Sequence, residues 1–401
     1  MLNEFANIMN YDKGAEKTLE IPFHKPYITE DEVSGVLDSL RSGWITMGPK
    51  TIEFEKSFGE YIGSRNAVSM NSCTACLHLA LKVLDLKEGD EVIVPAVTFT
   101  ATAEVIAYFR AVPVLVDVDD VTCNIDAAKI EEKITARTKA IIPVHYGGQP
   151  CDMDEISVIA KRHNLFVIED AAHAIPARYR GRRIGTIGDI TCFSFYATKT
   201  LATGEGGMAT TENDEWAERM KILRLHGISK DAWKRYSKEG SWFYEVVDAG
   251  YKYNMTDIQA ALGLAQLRKV EWMWRRRSEI ARIYTESLRG FQEILLPSVK
   301  PDRESAWHLY PIRLNPDQFA CTRDIFIERL KERGVSTSVH FIPLYRHPYY
   351  RDTFGFDAAE FPVSERIFAG TVSLPLYPGM AEEEILWVAA SVADVIGQCR
   401  R

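Results

Sequence analysis

The segment LFVIEDAAHAIPARYRGRRIGTIGDITCFSFYATKTLATGEGG, residues 165–207, carries the decision about the fold. Two short apolar runs lie in it, Leu165 to Ile168 and Ile190 to Phe195. Their length and β-branched content read as buried strands. Polar residues follow each run: Glu169, Asp170 and His173 after the first, Ser194 and Lys199 with the second.

Working outward, the same kind of run recurs at Val92 to Val94, Val112 to Val116 and Ala140 to Val144, with Thr98-Phe99 following the first of these. Between the runs lie stretches of helical periodicity, such as Ile156 to Arg162. Strand and helix alternating over some two hundred residues predict an α/β fold with a mainly parallel sheet covered on both faces. Ligands in such sheets bind beyond the carboxyl ends of the strands, so the polar residues named above are expected to meet at one edge.

Upstream, Thr29-Glu30-Asp31-Glu32 is a capping box, followed by Val33, Val36, Leu37 and Leu40 on one helical face and stopped by Gly43. Thr74, Leu77, Leu81 and Leu84 mark a second helix ending near Gly89. After about Gly250 the pattern changes. A long helix is expected from Thr256 through Glu286, then a strand from Trp307 to Leu314, a helix from Arg323 to Arg333 and a last helix from Ala381 to about Ile396. Residues 1–250 therefore read as an N-terminal arm and a large α/β domain, and 251–401 as a smaller α+β domain. The aromatic-rich segment from His226 to Tyr253 reads equally as a lid, a subunit contact or a surface excursion.

Composition narrows the function classes. The chain has 401 residues, 46% apolar and 26% charged, with a formal net charge of −8. That is a globular chain without the basic patch nucleic acid requires, since Arg275-Arg276-Arg277 sits in a helical pattern. Residues Met1 to Thr18 lack the basic and apolar regions of a signal peptide, and no run approaches a membrane span, so a cytoplasmic protein is expected. Seven scattered cysteines are not a disulfide framework, and reduced thiols are expected. Cys73-Thr74-Ala75-Cys76 is formally C-x-x-C, but no second pair completes a metal site. No metal is expected.

Pyridoxal phosphate would give each strand-end residue a task. Its aldehyde needs an amine in a partly desolvated pocket, for which Lys199 is the candidate. Its ring nitrogen needs a carboxylate to keep it protonated, and Asp170 is placed for that. Its phosphate needs backbone amides at a helix start and a few hydroxyls, which Thr74, after Ser72-Cys73, and Ser194 offer. Phe99 is suited to stack on the ring and His173 to bond near the ring oxygen. The glycines of Gly204-Glu205-Gly206-Gly207 allow close approach to a ligand. Taken singly, each residue also has an ordinary reading as surface, cap or core.

The sequence resembles the DegT/DnrJ/EryC1/StrS family of sugar aminotransferases over nearly its whole length. The matching blocks include Ser42-Gly43-Trp44-Ile45-Thr46, Pro143-Val144-His145-Tyr146-Gly147, Ile168-Glu169-Asp170-Ala171-Ala172-His173, Gly250-Tyr251-Lys252-Tyr253-Asn254, Trp307-His308-Leu309 and His340-Phe341. The resemblance implies an aspartate aminotransferase-like fold type I, a homodimer with shared active sites, pyridoxal 5'-phosphate as cofactor and glutamate as amino donor. By position, Lys199 matches the Schiff-base lysine, Asp170 the pyridinium partner and His173 its neighbour. Thr74 and Ser194 match phosphate contacts, Phe99 the stacking aromatic, and Asn254 the residue that reaches the phosphate from the second subunit. Cys73 stands where the family often has glycine or alanine.

Related dehydratases carry histidine at the position of Lys199, so lysine favours transamination. The blocks look most like the branch acting on carbon 4 of UDP-linked keto sugars; branches using TDP or GDP sugars, or acting at carbon 3, share most of them. His340 and the pair Lys234-Arg235 are candidates for the nucleotide diphosphate. Two rival classes compete. A nicotinamide dehydrogenase lacks its G-x-G-x-x-G after the first strand. A non-catalytic regulator of the same fold fits poorly with an intact set of Lys199, Asp170 and His173.

Overall fold

The computed structural model describes residues 19–229 and 243–400. Its centre is a seven-stranded sheet: β1 (Asn66–Met70), β2 (Glu91–Pro95), β3 (Val112–Val116), β4 (Thr138–Ile141), β5 (Phe166–Asp170), β6 (Ile190–Ser194) and β7 (Gly207–Thr211). The order is β1-β7-β6-β5-β4-β2-β3. Neighbours run parallel except at β7, which is antiparallel to both β1 and β6. Successive side chains alternate across the sheet, so Val92 and Val94 enter one apolar cluster and Ile93 the other. Burial on both faces explains the unbroken apolar runs, each such side chain stabilising the fold by about 1.5–3 kcal/mol.

Five expected strands are present with small changes in their ends. β5 continues through Asp170, and β4 stops at Ile141. β1 and β7 have no strong apolar run and were not expected; pairing on the sheet holds them.

The helices α1 (Glu30–Ser42), α2 (Pro49–Ile62), α3 (Cys73–Val83), α4 (Ala101–Ala107), α5 (Met153–His163) and α6 (Asp214–Leu223) belong to this layer. The capping box of α1 forms, with Glu32 accepting from the Thr29 N–H at 2.7 Å. Its apolar face behaves differently from expectation. Val33, Leu37 and Leu40 are 43%, 41% and 51% exposed, whereas Glu32 and Ser39 are buried. The reason is polar: Lys269 and Gln266 reach Glu32 from the long helix α7 (Asp257–Leu288) at 2.6 and 2.8 Å.

α7 begins with the capping box Thr256 and Gln259 and runs from the large apolar cluster, through Val270 and Met273, into a separate one with Ile280, Tyr284 and Leu288. At its first residue, the Asp257 carboxylate accepts from Gly48 N–H, Thr51 N–H and the Thr51 hydroxyl at 2.8, 3.0 and 2.7 Å. It thereby caps α2, whose own N-cap is a glycine.

The second cluster covers a three-stranded antiparallel sheet of β8 (Ile294–Leu295), β9 (Tyr310–Leu314) and β10 (Thr371–Leu374), in the order β8-β9-β10. Helices α8 (Arg323–Glu332) and α9 (Glu382–Cys399) pack on it. The expectation of reduced thiols fails here. Cys321 and Cys399 form a disulfide with their Cα atoms 5.4 Å apart. They stand 78 residues apart in sequence, and are brought together because the end of α9 lies against the start of α8, with Ala320 N–H bonded to Cys399 C=O at 2.7 Å. The other five cysteines are free thiols. Among the described residues, no helix is long and apolar enough to cross a membrane.

Candidate active site

The carboxyl ends of β2, β5 and β6 open on one cavity of about 610 Å³. Thr98 and Phe99 reach it from beyond β2, Asp170 from the last position of β5, Ser194 from the last position of β6, and Lys199 from the turn that follows. Thr74 enters from the start of α3, and His173 from the turn after β5. The sheet edge therefore assembles the residues its sequence pattern points to. Glu169 is excluded: its side chain points to the opposite face and bonds His145.

Asp170 is buried, and among the described residues its carboxylate accepts two hydrogen bonds, from the Thr102 hydroxyl to Oδ2 at 2.8 Å and from Ala172 N–H to Oδ1 at 3.1 Å. Burial pushes its carboxyl above the ordinary range, while these donors and the nearby Lys199 pull the other way. A carboxylate so placed has capacity for a cation at the cavity wall.

Lys199 faces the same space. Burial lowers its ammonium to about 8, against the opposing pull of Cys73 and Asp170. A larger share of neutral amine at neutral pH is what nucleophilic attack on an aldehyde requires.

Histidines form much of the remaining wall. The His173 and His308 rings lie 4.2 Å apart between centroids, and each has a buried Nδ1 without a partner among the described residues. Burial pushes both well below the ordinary imidazole value, helped by Lys199, so both are neutral near pH 7. His340, bonded through Nδ1 to the Ser373 hydroxyl at 2.9 Å, is lowered by burial and Lys199 to about 4. At neutral pH it is therefore an uncharged hydrogen-bonding group on the cavity wall. Phe99, 59% exposed, has its ring centroid 6.0 Å from that of Phe341, leaving an aromatic face open to the cavity.

The start of α3 offers donors that could hold an anion. Ser72 caps the helix by accepting from Ala75 N–H at 3.1 Å, and the first-turn N–H groups of Cys73 and Thr74 have no carbonyl of their own helix to bond. Burial and the nearby Asp170 push the Cys73 thiol well up, so it stays uncharged and adds no repulsion toward an anion. Gly207 lets β7 pass this helix start, since a Cβ there would fall 2.5 Å from the backbone of Ser72. Gly207 thus permits a backbone crossing at this helix start.

The sequence profile of the DegT/DnrJ/EryC1/StrS aminotransferase family matches residues 26–393. The chain belongs to this family. It is 55% identical over 380 residues to the protein MJ1066 of Methanocaldococcus jannaschii, covering 95% of this chain and 98% of that one. It is 48% identical over 377 residues to the spore coat polysaccharide biosynthesis protein SpsC of Bacillus subtilis, covering 94% and 97%. Among solved structures, the putative sugar aminotransferase Spr1654 of Streptococcus pneumoniae, in its PMP form, superposes with a TM-score of 0.89 at 37% identity, covering 94% and 99%. The same protein is solved in a PLP form.

The chain is thus a pyridoxal-phosphate-dependent sugar aminotransferase of fold type I, a transferase of the EC 2.6.1 type. Its cavity fits the cofactor on three observations: a buried carboxylate with spare capacity, a lysine with a lowered ammonium, and a helix start free to take a phosphate.

Other family residues stand elsewhere. Asn254 does not line this chain's cavity; its amide accepts from Lys252 Nζ at 2.5 Å and donates to Met255 C=O at 3.2 Å. Lys234 and Arg235 lie outside the described residues. Among the cavity residues to which the sequence assigns no role are the rings of His24, His308 and Phe341. The last two sit in blocks that carry the family resemblance, and a histidine there was the available signal. Among the described residues, no group of three or more His, Cys, Asp or Glu side chains is arranged to hold a metal ion.

Proposed function

We propose that this aminotransferase moves the amino group of L-glutamate to a nucleotide-linked keto sugar, and that its preferred acceptor is carbon 4 of a UDP-linked sugar. The observation that carries the reading is the meeting of Lys199, Asp170 and His173 in one cavity beside a free helix start. When bound, the cofactor carries the amino group between donor and acceptor, and its ring takes up the electrons left when the carbon proton departs. Lys199 holds the cofactor through Nζ, and once released it takes up and returns the proton of the reacting carbon. Asp170 holds a proton on the ring nitrogen through a charge-assisted contact. The neutral His173 sits beside the ring, and Phe99 covers one face. Cys73 and Thr74 N–H, with the hydroxyls of Thr74 and Ser194, bind the phosphate.

In this reading Asn254 completes the phosphate site of a second subunit, so the working unit is a homodimer. Its absence from its own cavity is consistent with that placement, and the exposed Val33, Leu37 and Leu40 of α1 offer an apolar face to a second copy. His340 and the Lys234-Arg235 pair are assigned to the nucleotide diphosphate. The name of SpsC, a polysaccharide biosynthesis protein, supports an amino sugar destined for a surface glycan.

The test is to aminate the enzyme with glutamate and offer it a panel of UDP-, TDP- and GDP-linked keto sugars, identifying products by mass and NMR. UDP-linked 4-keto sugars are expected to react fastest, and free keto hexoses poorly, because the remote nucleotide supplies binding energy that positions the reacting carbon. Equal efficiency with free sugars would overturn the nucleotide reading. Preference for a TDP or GDP sugar would move the enzyme to another branch.

A further inference from the structure

Asp170 is gripped by a run of hydroxyls that the family comparison leaves without a role. Thr98 Oγ1 lies 2.8 Å from Thr102 Oγ1, which lies 2.8 Å from Asp170 Oδ2. An ionised carboxylate only accepts hydrogen bonds, so Thr102 directs its single hydroxyl proton to Asp170. Its oxygen must then accept from Thr98. The chain has one direction, Thr98 to Thr102 to Asp170, for as long as Asp170 is ionised.

Burial makes this arrangement matter. Thr98 and Thr102 are 2% and 0% exposed, so bulk water does not compete for their hydroxyls. The charged or ionisable groups near Asp170 are Lys199, His145, Cys73, Cys76 and Cys192, and none of them is hydrogen-bonded to its carboxylate among the described residues. Thr102 is thus its only side-chain donor there. Thr98 leaves β2, Thr102 lies in the first turn of α4, and Asp170 ends β5, so the hydroxyls also lock three elements of the cavity wall together.

We propose that Thr102, oriented by Thr98, is a positioning residue that keeps the Asp170 carboxylate ionised and aimed at the cofactor's ring nitrogen; this rests on the pairing of Asp170 with that nitrogen proposed above. Without its donor the carboxylate is a stronger base. It then draws the shared proton away from the ring.

The test uses holoenzyme loaded with pyridoxal phosphate carrying ¹⁵N in the ring, reading the ring-nitrogen resonance and the cofactor dissociation constant. Thr102→Val keeps the branched shape and removes the donor. Its resonance should move toward the unprotonated position, and its dissociation constant should rise on the order of tenfold. Thr102→Ser should restore both, and Thr98→Val should shift them the same way by less. A wild-type resonance in Thr102→Val, or equal impairment in Thr102→Ser, would overturn the proposal, the latter because it assigns the effect to the methyl group. Should Thr102→Val fail to fold, Thr98→Val decides, and an unchanged resonance there overturns it. Asp170→Asn separates the two levels: a silent Asp170→Asn removes the ring-nitrogen pairing itself, whereas a shifted Asp170→Asn with silent threonine variants removes only the hydroxyl chain.

Discussion

Glu169 and Asp170 are consecutive residues of β5, both buried, and their carboxylates lie in opposite circumstances. Glu169 accepts from His145 Nε2, Gly188 N–H and the Thr191 hydroxyl at 2.9, 2.7 and 2.8 Å. His145 is itself fixed, because its Nδ1 accepts from Cys151 N–H at 3.0 Å and leaves the ring proton on Nε2 for Glu169. Burial alone would raise Glu169, yet these donors hold it below the ordinary carboxylate range. Asp170, with two donors, stays above that range. The difference separates architecture from chemistry: a carboxylate whose bonds are filled ties strands together, and one left with capacity beside a lysine is ready for a ligand.

The sharpest way to break this comparison is to neutralise each carboxylate in turn. Asp170→Asn should retain the cofactor but slow single-turnover transamination by ~10³-fold, since a neutral amide cannot hold the ring proton. Its thermal unfolding should be close to wild type. Normal single-turnover rates would remove Asp170 from the mechanism. Glu169→Gln should do the reverse, costing roughly 2 kcal/mol in urea-induced unfolding of the apoenzyme while turnover per folded molecule stays within a few-fold. A large loss of turnover at full stability would show that Glu169 is not merely structural.

Legibility in the sequence followed the same division. Asp170, Ser194 and Lys199 could be read because each follows a run of buried β-branched residues whose end must face a ligand edge. Thr102 could not: it is one hydroxyl in an ordinary helix, and its partner is 68 residues away. The disulfide between Cys321 and Cys399 was hidden in the same way by distance along the chain. β1, with sequence NAVSM, and β7, with GMATT, lack a strong strand pattern because their neighbours in the sheet supply the hydrogen bonds and cover. α1 was placed correctly but its buried side was not, since hydropathy alone does not reveal that Lys269 and Gln266 wait for Glu32. His308, just before β9, and His340, in a segment between α8 and β10, reach the cavity from more than a hundred residues beyond Lys199, where only the family resemblance points to them.

Smaller effects follow from pH. An ammonium lowered to about 8 means that cofactor uptake by the apoenzyme should speed up about tenfold from pH 7 to the plateau above pH 8, as the neutral amine becomes the main form. Uptake still rising steeply at pH 10 would mean that the lysine is not desolvated. The two carboxylates should also diverge in acid. Glu169 lies below its unfolded value, so its contribution to stability is present above that value and lost as pH falls through the folded one. Asp170 lies above its unfolded value, so in the apoenzyme it destabilises near neutrality and ceases to do so once protonated. Apo Asp170→Asn should accordingly be slightly more stable than wild type near pH 7, with the advantage vanishing in acid, as followed by urea unfolding across pH. An advantage that grew toward acid would reverse the sign assigned to Asp170.

The most direct test of the site is to treat holoenzyme with borohydride, which fixes any bond between the cofactor and a lysine, and to locate the modified residue by peptide mass spectrometry. The account predicts a single modified peptide carrying the cofactor on Lys199, with no modification in Lys199→Ala. The cofactor found on another lysine, in wild type or in that variant, would contradict it.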